Sequence, residues 1–343
     1  MCCLTQKVKV ISKNTKTDQQ KEVNKHDIQS KVKDIKIKNS ILKQKDKKNT
    51  TTTTNTKTLS QFKIKRRTAA AAAAATTTAY KLPIVCDVDT LRTLIRKKTE
   101  IRVVDVRRIE DYKKGHIPTA VSLPLAVLLS NDSPEQIVKL LESFGISDEM
   151  PVVVYDDTFG ALAARVAWTF QYVGHENTSL LEMTYTNWKN LGLEIEKRNN
   201  KFPKTTHSLQ LNQSIYADAP YVESIQNNPD KILVDSRERL NFLTEHIPSA
   251  KNIPYTMLGN DNHILRSVDE IKRFVENRGI SPDSEIITYC GSVGTLSGLA
   301  FYALKLAGIK NVKLYSKSFK DWKSLGKPKI EFKDANYWDL SAE

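Results

Sequence analysis

Val104-Asp105-Val106-Arg107 returns 130 residues later as Val234-Asp235-Ser236-Arg237, and that return decides the fold. At the same offset His116-Ile117-Pro118-Thr119-Ala120 comes back as His246-Ile247-Pro248-Ser249-Ala250, and Pro124 as Pro254. Further along the offset is 134. Gly145-Ile146-Ser147 then matches Gly279-Ile280-Ser281, Tyr155 matches Tyr289, and Gly160 matches Gly294. Gly174, Trp188 and Leu191-Gly192 match Gly308, Trp322 and Leu325-Gly326. One four-residue insertion within 259–278 reconciles the two offsets. So many matches with a single gap mark a duplicated domain.

Each copy alternates strand-like and helix-like stretches. Residues 101–106, 152–155, 232–234 and 286–289 are short apolar, β-branched runs, as expected of strands buried on both faces of a parallel sheet. Residues 161–172 and 296–306 are apolar at helical spacing and stop at Gly174 and Gly308. Residues 179–181 and 312–315 supply a further strand in each copy. This order predicts two three-layer α/β/α domains with parallel sheets. The boundaries fall at 81–198 and 214–335, with a polar linker over 199–213 and a tail over 1–80.

The formal charge of +14 belongs to that tail, where 19 basic side chains face 5 acidic ones; the remaining residues carry 34 of each. The two domains therefore show no basic bias of the kind nucleic-acid binding needs. With its Thr tract at 50–54 and seven alanines at 69–75, the tail reads as a disordered extension. Its basic, hydroxyl-rich, acid-poor character also fits a mitochondrial presequence, although its arginines are only Arg66 and Arg67. A lipid anchor on Cys2-Cys3 is a weaker reading. No apolar run is long enough for a membrane span. Neither G-x-G-x-x-G nor a P-loop is present, and no Cys/His spacing suggests a metal, so no cofactor is expected. Four cysteines in so long a chain fit a reducing compartment, cytoplasm or mitochondrial matrix.

The copies diverge most where a parallel α/β sheet binds its ligands, beyond a strand's carboxyl end. Copy one reads Tyr155-Asp156-Asp157-Thr158-Phe159-Gly160; copy two reads Tyr289-Cys290-Gly291-Ser292-Val293-Gly294-Thr295. Cys290 thus opens a Gly/Ser turn that feeds a helix, amid unpaired N–H groups and the positive end of the helix dipole. A turn of this kind can aim its amides inward as an anion cradle and favour the thiolate, the nucleophilic form. No Asp or Glu lies between Cys290 and Leu304 to oppose this. A buried structural cysteine is the bland alternative, but such cysteines sit within strands and helices.

In the Val-Asp-Ser-Arg at 234–237, the two His-Ile-Pro-x-Ala turns, Cys290-Gly-Ser and the Tyr315 to Trp322 stretch, the chain resembles the rhodanese superfamily. Within it the resemblance is to the two-domain thiosulfate/3-mercaptopyruvate sulfurtransferases. It covers about 81–328, with Tyr155 to Arg165 resembling the inactive first half. The resemblance implies that Cys290 takes sulfane sulfur from a small-molecule donor as a persulfide. A thiol or cyanide acceptor, or a thioredoxin-like or other protein thiol, then removes it in a ping-pong scheme. It also implies that Arg237 grips the substrate anion and that Gly291, Ser292, Val293, Gly294 and Thr295 line the substrate. For Arg237 a surface salt bridge with Asp235 or Glu238 is the alternative, and for Ser292 and Thr295 helix capping. Asp235, and His116 and Asp105 from the first domain, are candidates for support around the cleft; for His116, fixing its own turn is the alternative.

Thiosulfate-type loops in this family resemble Cys-Arg-Lys-Gly-Val-Thr and mercaptopyruvate-type loops Cys-Gly-Ser-Gly-Val-Thr. The loop here has no cation, which favours 3-mercaptopyruvate. Val293 and Gly294 are exchanged relative to both patterns, so either Val293 is strained or the turn is rebuilt around Gly294. A decayed, purely binding pair of domains and a persulfide relay to a partner protein are the rival functions. A cysteine phosphatase would need Arg where Leu296 stands.

Overall fold

The computed structural model describes residues 80–131, 133–260 and 262–331. The tail read over 1–80, apart from Tyr80, and the end of the second copy at 332–335 lie outside the described residues.

In the first copy β1 (Val85–Cys86), β2 (Arg102–Asp105), β3 (Val121–Ser122), β4 (Val152–Tyr155) and β5 (Thr178–Leu181) form one sheet. Its order is β1-β5-β4-β2-β3 and every pairing is parallel. The second copy repeats it with β6 (Lys231–Asp235), β7 (Glu245–His246), β8 (Lys251–Asn252), β9 (Glu285–Tyr289), β10 (Val312–Leu314) and β11 (Ile330–Glu331). Here the parallel order is β10-β9-β6-β8, and a parallel bridge from Tyr216 to Leu314 stands where β1 would pair. Two additions depart from the all-parallel expectation: in copy one His116 makes an antiparallel bridge to Glu196, and copy two has its counterpart. β7 and β11 pair antiparallel in a separate two-stranded ribbon. β2 and β4 are buried along their whole length, as strands covered by helices on both faces must be.

The Ala161–Tyr172 and Thr295–Leu306 helices are repeat-mates, and they pack on each other. Each is buried nearly all round, because its own sheet covers one side and its mate the other. Gly298 sets the closeness of the pair. A Cβ there would come within 3.3 Å of the Arg165 backbone nitrogen.

The inserted residues fall between Gly259 and Ser267. The matching stretch of copy one runs from Leu129 to Ser133. Both stretches end in a capping box, Ser133 with Gln136 and Ser267 with Glu270, so the extra length is absorbed in the preceding arm. That arm crosses to the first domain. The Ile264 N–H donates to Glu182 O at 2.9 Å, and a Cβ on Gly160 would meet Ile264 at 2.8 Å. Beside it Phe159 stacks on Tyr255 at 5.0 Å.

Candidate active site

The strand-end residues Asp156 and Cys290 occupy matching positions in the two copies. Asp156 shows what that position binds. Its Oδ1 accepts from the N–H groups of Thr158 (2.9 Å) and Gly160 (2.8 Å); its Oδ2 accepts from Leu162 (2.8 Å) and Ala163 (3.0 Å). Burial raises the pKa of this carboxyl, and the four amides pull against that. The turn and the first turn of the helix therefore form an anion cradle, occupied in copy one by the protein's own carboxylate. The residues aligned with those donors in copy two are Ser292, Gly294, Leu296 and Ser297, on the turn that Cys290 opens.

The exchanged Val293-Gly294 order creates no strain. Gly294 takes the left-handed conformation (φ 77°), as Gly160 does in copy one (φ 85°), whereas Val293 stays out of that region. The turn is built around Gly294. A side chain there would press on the Ser316 backbone at 3.1 Å and on the Arg165 stem at 3.3 Å.

Cys290 is 2% exposed, while Gly291, Ser292 and Val293 beside it are exposed. Its N–H donates to Ser318 Oγ at 3.1 Å, and its sulfur lies 3.7 Å from the same oxygen. Ser318 Oγ in turn donates to Tyr315 O at 2.9 Å. Ser318 is held at φ 61°, a costly conformation for a serine, whereas its repeat-mate Thr184 has φ −74°. Sequence reading took in the surrounding Tyr315–Trp322 stretch but gave Ser318 no role.

Arg165 was also missed. It comes from the first domain's helix, and its Nε donates to Val293 O at 2.7 Å across the interface. Its guanidinium also bonds Thr169 Oγ1. Burial pushes its pKa down to about 10, with Cys290 near enough to pull it back. Among the described residues no carboxylate pairs with it. The available signal was a difference between the copies, since the aligned residue is Leu299.

Arg237 borders a cavity of about 490 Å³ together with Gly291 of the cysteine turn, and it already carries partners. Its Nε and Nη2 grip Asp235 (2.6 Å at the shortest), Nη2 also donates to Glu245 O at 2.7 Å, and the group lies 4.4 Å from the Phe319 ring centroid. This is not a surface salt bridge, for both side chains are buried. Burial works against the guanidinium charge, but Asp235 outweighs it and holds the pKa above the usual value. Arg107 does the same in copy one, with Asp105 at 2.6 Å, Gly115 O at 2.8 Å and Tyr185 beneath it at 3.6 Å. A geometry shared with the copy that lacks the cysteine belongs to the fold.

Asp105 and His116 do not reach the second domain's loop. Asp105 is fully buried between Arg107 and the Tyr155 hydroxyl (2.6 Å). His116 stacks on Tyr112 and donates from Nδ1 to the Tyr112 carbonyl at 3.0 Å, fixing its own turn. Capping does not explain Ser292 and Thr295, because the helix begins at Gly294 with no side-chain cap.

A cavity of about 640 Å³ opens beside the loop, between the two domains. Ser292 and Val293 form one side of it. Arg165, Lys317 and Lys320 stand around it, and Trp168 and Tyr172 form an aromatic wall. Among the described residues no helix is long and apolar enough to cross a membrane, and no cluster of three or more metal-ligating side chains forms.

A duplicated parallel α/β domain, with a cysteine in one copy at the position where the other copy's carboxylate is held by four turn amides, defines a tandem protein whose two strand ends differ. The chain belongs to the rhodanese family: the profile of the rhodanese-like domain matches residues 87–191 and again 218–325. It is 26% identical over 252 residues to a 3-mercaptopyruvate sulfurtransferase of Escherichia coli strain K12, covering 65% of this chain and 89% of the relative. It is 29% identical over 254 residues to a protein of Thermus thermophilus named sulfur carrier protein TtuD, covering 66% and 89%. Among solved structures, SseA from Escherichia coli, described as a 3-mercaptopyruvate sulfotransferase with the rhodanese fold, superposes with a TM-score of 0.63 at 25% identity. The match covers 69% of this chain and 99% of SseA.

Proposed function

We infer that this protein is a sulfurtransferase that carries sulfane sulfur on Cys290. The observation that carries the reading is the position of that cysteine, where its repeat-mate holds an anion with four turn amides. A persulfide is such an anion. In the first half-reaction the Cys290 thiolate attacks the donor's sulfur and the bond from that sulfur to the donor breaks. Thiosulfate leaves as sulfite; 3-mercaptopyruvate leaves as the pyruvate enolate, which takes up a proton. In the second, a thiol or cyanide attacks the outer sulfur, and the S–S electron pair returns to Cys290.

Gly291 to Thr295 supply the cradle, and Ser292 and Val293 border the cavity beside it. Ser318 steadies the cysteine from behind. Arg237 and Asp235 brace the neighbouring turn. Of the two donors we favour 3-mercaptopyruvate. The turn has no cation of its own to meet a dianion at the sulfur, and Arg165, bonded to Val293 O, can hold a carboxylate beside it. The thiol chemistry suits a reducing compartment, cytoplasm or mitochondrial matrix. A relay to a partner protein's thiol is the second reading, favoured by the likeness to a protein named as a sulfur carrier.

The test is sulfide or thiocyanate release from each donor by the wild-type chain and by Cys290→Ser, with the mass of the sulfur-loaded protein. Turnover and an added sulfur, both lost in the variant, are expected. Turnover that survives in Cys290→Ser would overturn the assignment. Loading without turnover on small acceptors would favour the relay.

A further inference from the structure

The two turns are related by the duplication, but the arms in front of them differ. Before the Asp156 cradle the inserted arm seats Ile264 on Gly160. Before the Cys290 turn the shorter arm of copy one stops at Leu129 and Pro134, and the 640 Å³ cavity remains. A donor of a handful of heavy atoms fills only a corner of that volume, which is in the range of sites for larger small molecules.

The lining is two-sided. Trp168 and Tyr172 stack with 2° between their planes and centroids 5.3 Å apart, and Tyr172 stacks on Tyr216 at 5.1 Å, giving an aromatic wall. Arg165, three residues before Trp168 on the same helix, lies over that ring at 5.2 Å, and Lys317 and Lys320 border the cavity from the second domain; none of the three pairs with a carboxylate among the described residues. One carboxylate, Asp321, also borders the cavity, and it accepts the Tyr315 hydroxyl at 2.7 Å. A half-buried guanidinium with no counter-ion is costly to keep, and an anionic ligand would repay that cost.

We propose that this cavity is the acceptor subsite and takes an anionic thiol with an aromatic body, its carboxylate on Arg165 and its ring against Tyr172 and Tyr216, the half-buried end of the aromatic stack. The assignment rests on the sulfurtransferase reading. Its transfer step is the second half-reaction above: the acceptor thiolate bonds to the outer sulfur and leaves as an aryl persulfide, while Cys290 recovers the thiolate. No further oxidant or reductant is needed.

The experiment uses the full chain and two readouts. Acceptor KM values are measured for 4-mercaptobenzoate, thiophenol and 3-mercaptopropionate, and binding of 2-naphthoate, which has no thiol, is measured by calorimetry. 4-Mercaptobenzoate is expected to have a KM at least about tenfold below the other two. Arg165→Gln should raise that KM and weaken naphthoate binding by a similar factor, and Arg165→Lys should recover much of both. Transfer with equal KM for all three thiols, or with no naphthoate binding at millimolar concentration, would overturn the proposal. Naphthoate binding without transfer to any acceptor would support the cavity as an anionic aromatic site and sink the sulfur-transfer reading beneath it.

Discussion

The Asp156 turn and the Cys290 turn share one backbone plan, and they differ in what sits inside and in front. Asp156 is held by four amides and roofed by Ile264 from the other domain. Cys290 stands in the matching position with exposed loop residues and a cavity beside it. The Asp-Arg pair, with an aromatic residue under the arginine, is repeated in both copies. The difference separates what the domain needs to fold from what it needs to react. Features present twice belong to the architecture. Cys290, Ser318 with its positive φ, and Arg165 reaching across are each present once, at the cysteine turn.

The strongest way to break this comparison is to make the copies alike. Cys290→Asp turns the second cradle into a copy of the first. Sulfur transfer should fall by more than about 10³-fold, no added sulfur should appear by mass spectrometry, and the thermal midpoint should rise as the amides gain a carboxylate. A variant that still turns over would show that the reacting group lies elsewhere.

Emptying the first cradle comes next. Asp156→Ala leaves four inward-facing amides without their acceptor and should cost about 3–4 kcal/mol in urea unfolding. A cost near zero would mean that water fills the cradle as well as the carboxylate does.

The smallest effect concerns a histidine that only copy one has. His175 is buried against His207 at 3.1 Å, with Asp148 3.4 Å beyond, and the matching residue in copy two is Ile309. Burial, then His207, lowers the His175 pKa from 6.5 to about 4. The folded state therefore resists a proton that the unfolded chain accepts. Stability is complete above the ordinary histidine value and is lost as pH falls from there toward about 4, by on the order of 2–3 kcal/mol. His175→Ile should flatten the urea midpoint over that window. An unchanged slope would locate the acid sensitivity elsewhere.

Much of this was legible in the chain. The offsets of 130 and 134 exposed the duplication, and β-branched runs such as Val152–Tyr155 placed strands because their burial is local and periodic. Cys290 stood out because its repeat-mate is Asp156. What stayed hidden depends on contacts between distant parts of the chain. Arg165 meets Val293 across 128 residues, and nothing near either residue announces the other. The four inserted residues were visible as a gap, but not as the arm that seats Ile264 on Gly160. Arg237 invited a ligand role as a conspicuous arginine near the site; its pairing with Asp235, repeated by Arg107 and Asp105 in copy one, is a contact only the structure shows.

The filled cradle also gives this molecule an internal calibration standard. The amide protons of Thr158, Gly160, Leu162 and Ala163 are held on a carboxylate in every molecule, whatever the state of the cysteine. In a nitrogen-15 correlation spectrum they mark where an anion-bound turn resonates. Loading with sulfur should then move Ser292, Gly294, Leu296 and Ser297 toward that reference, so one half of the chain reports how charged the other has become.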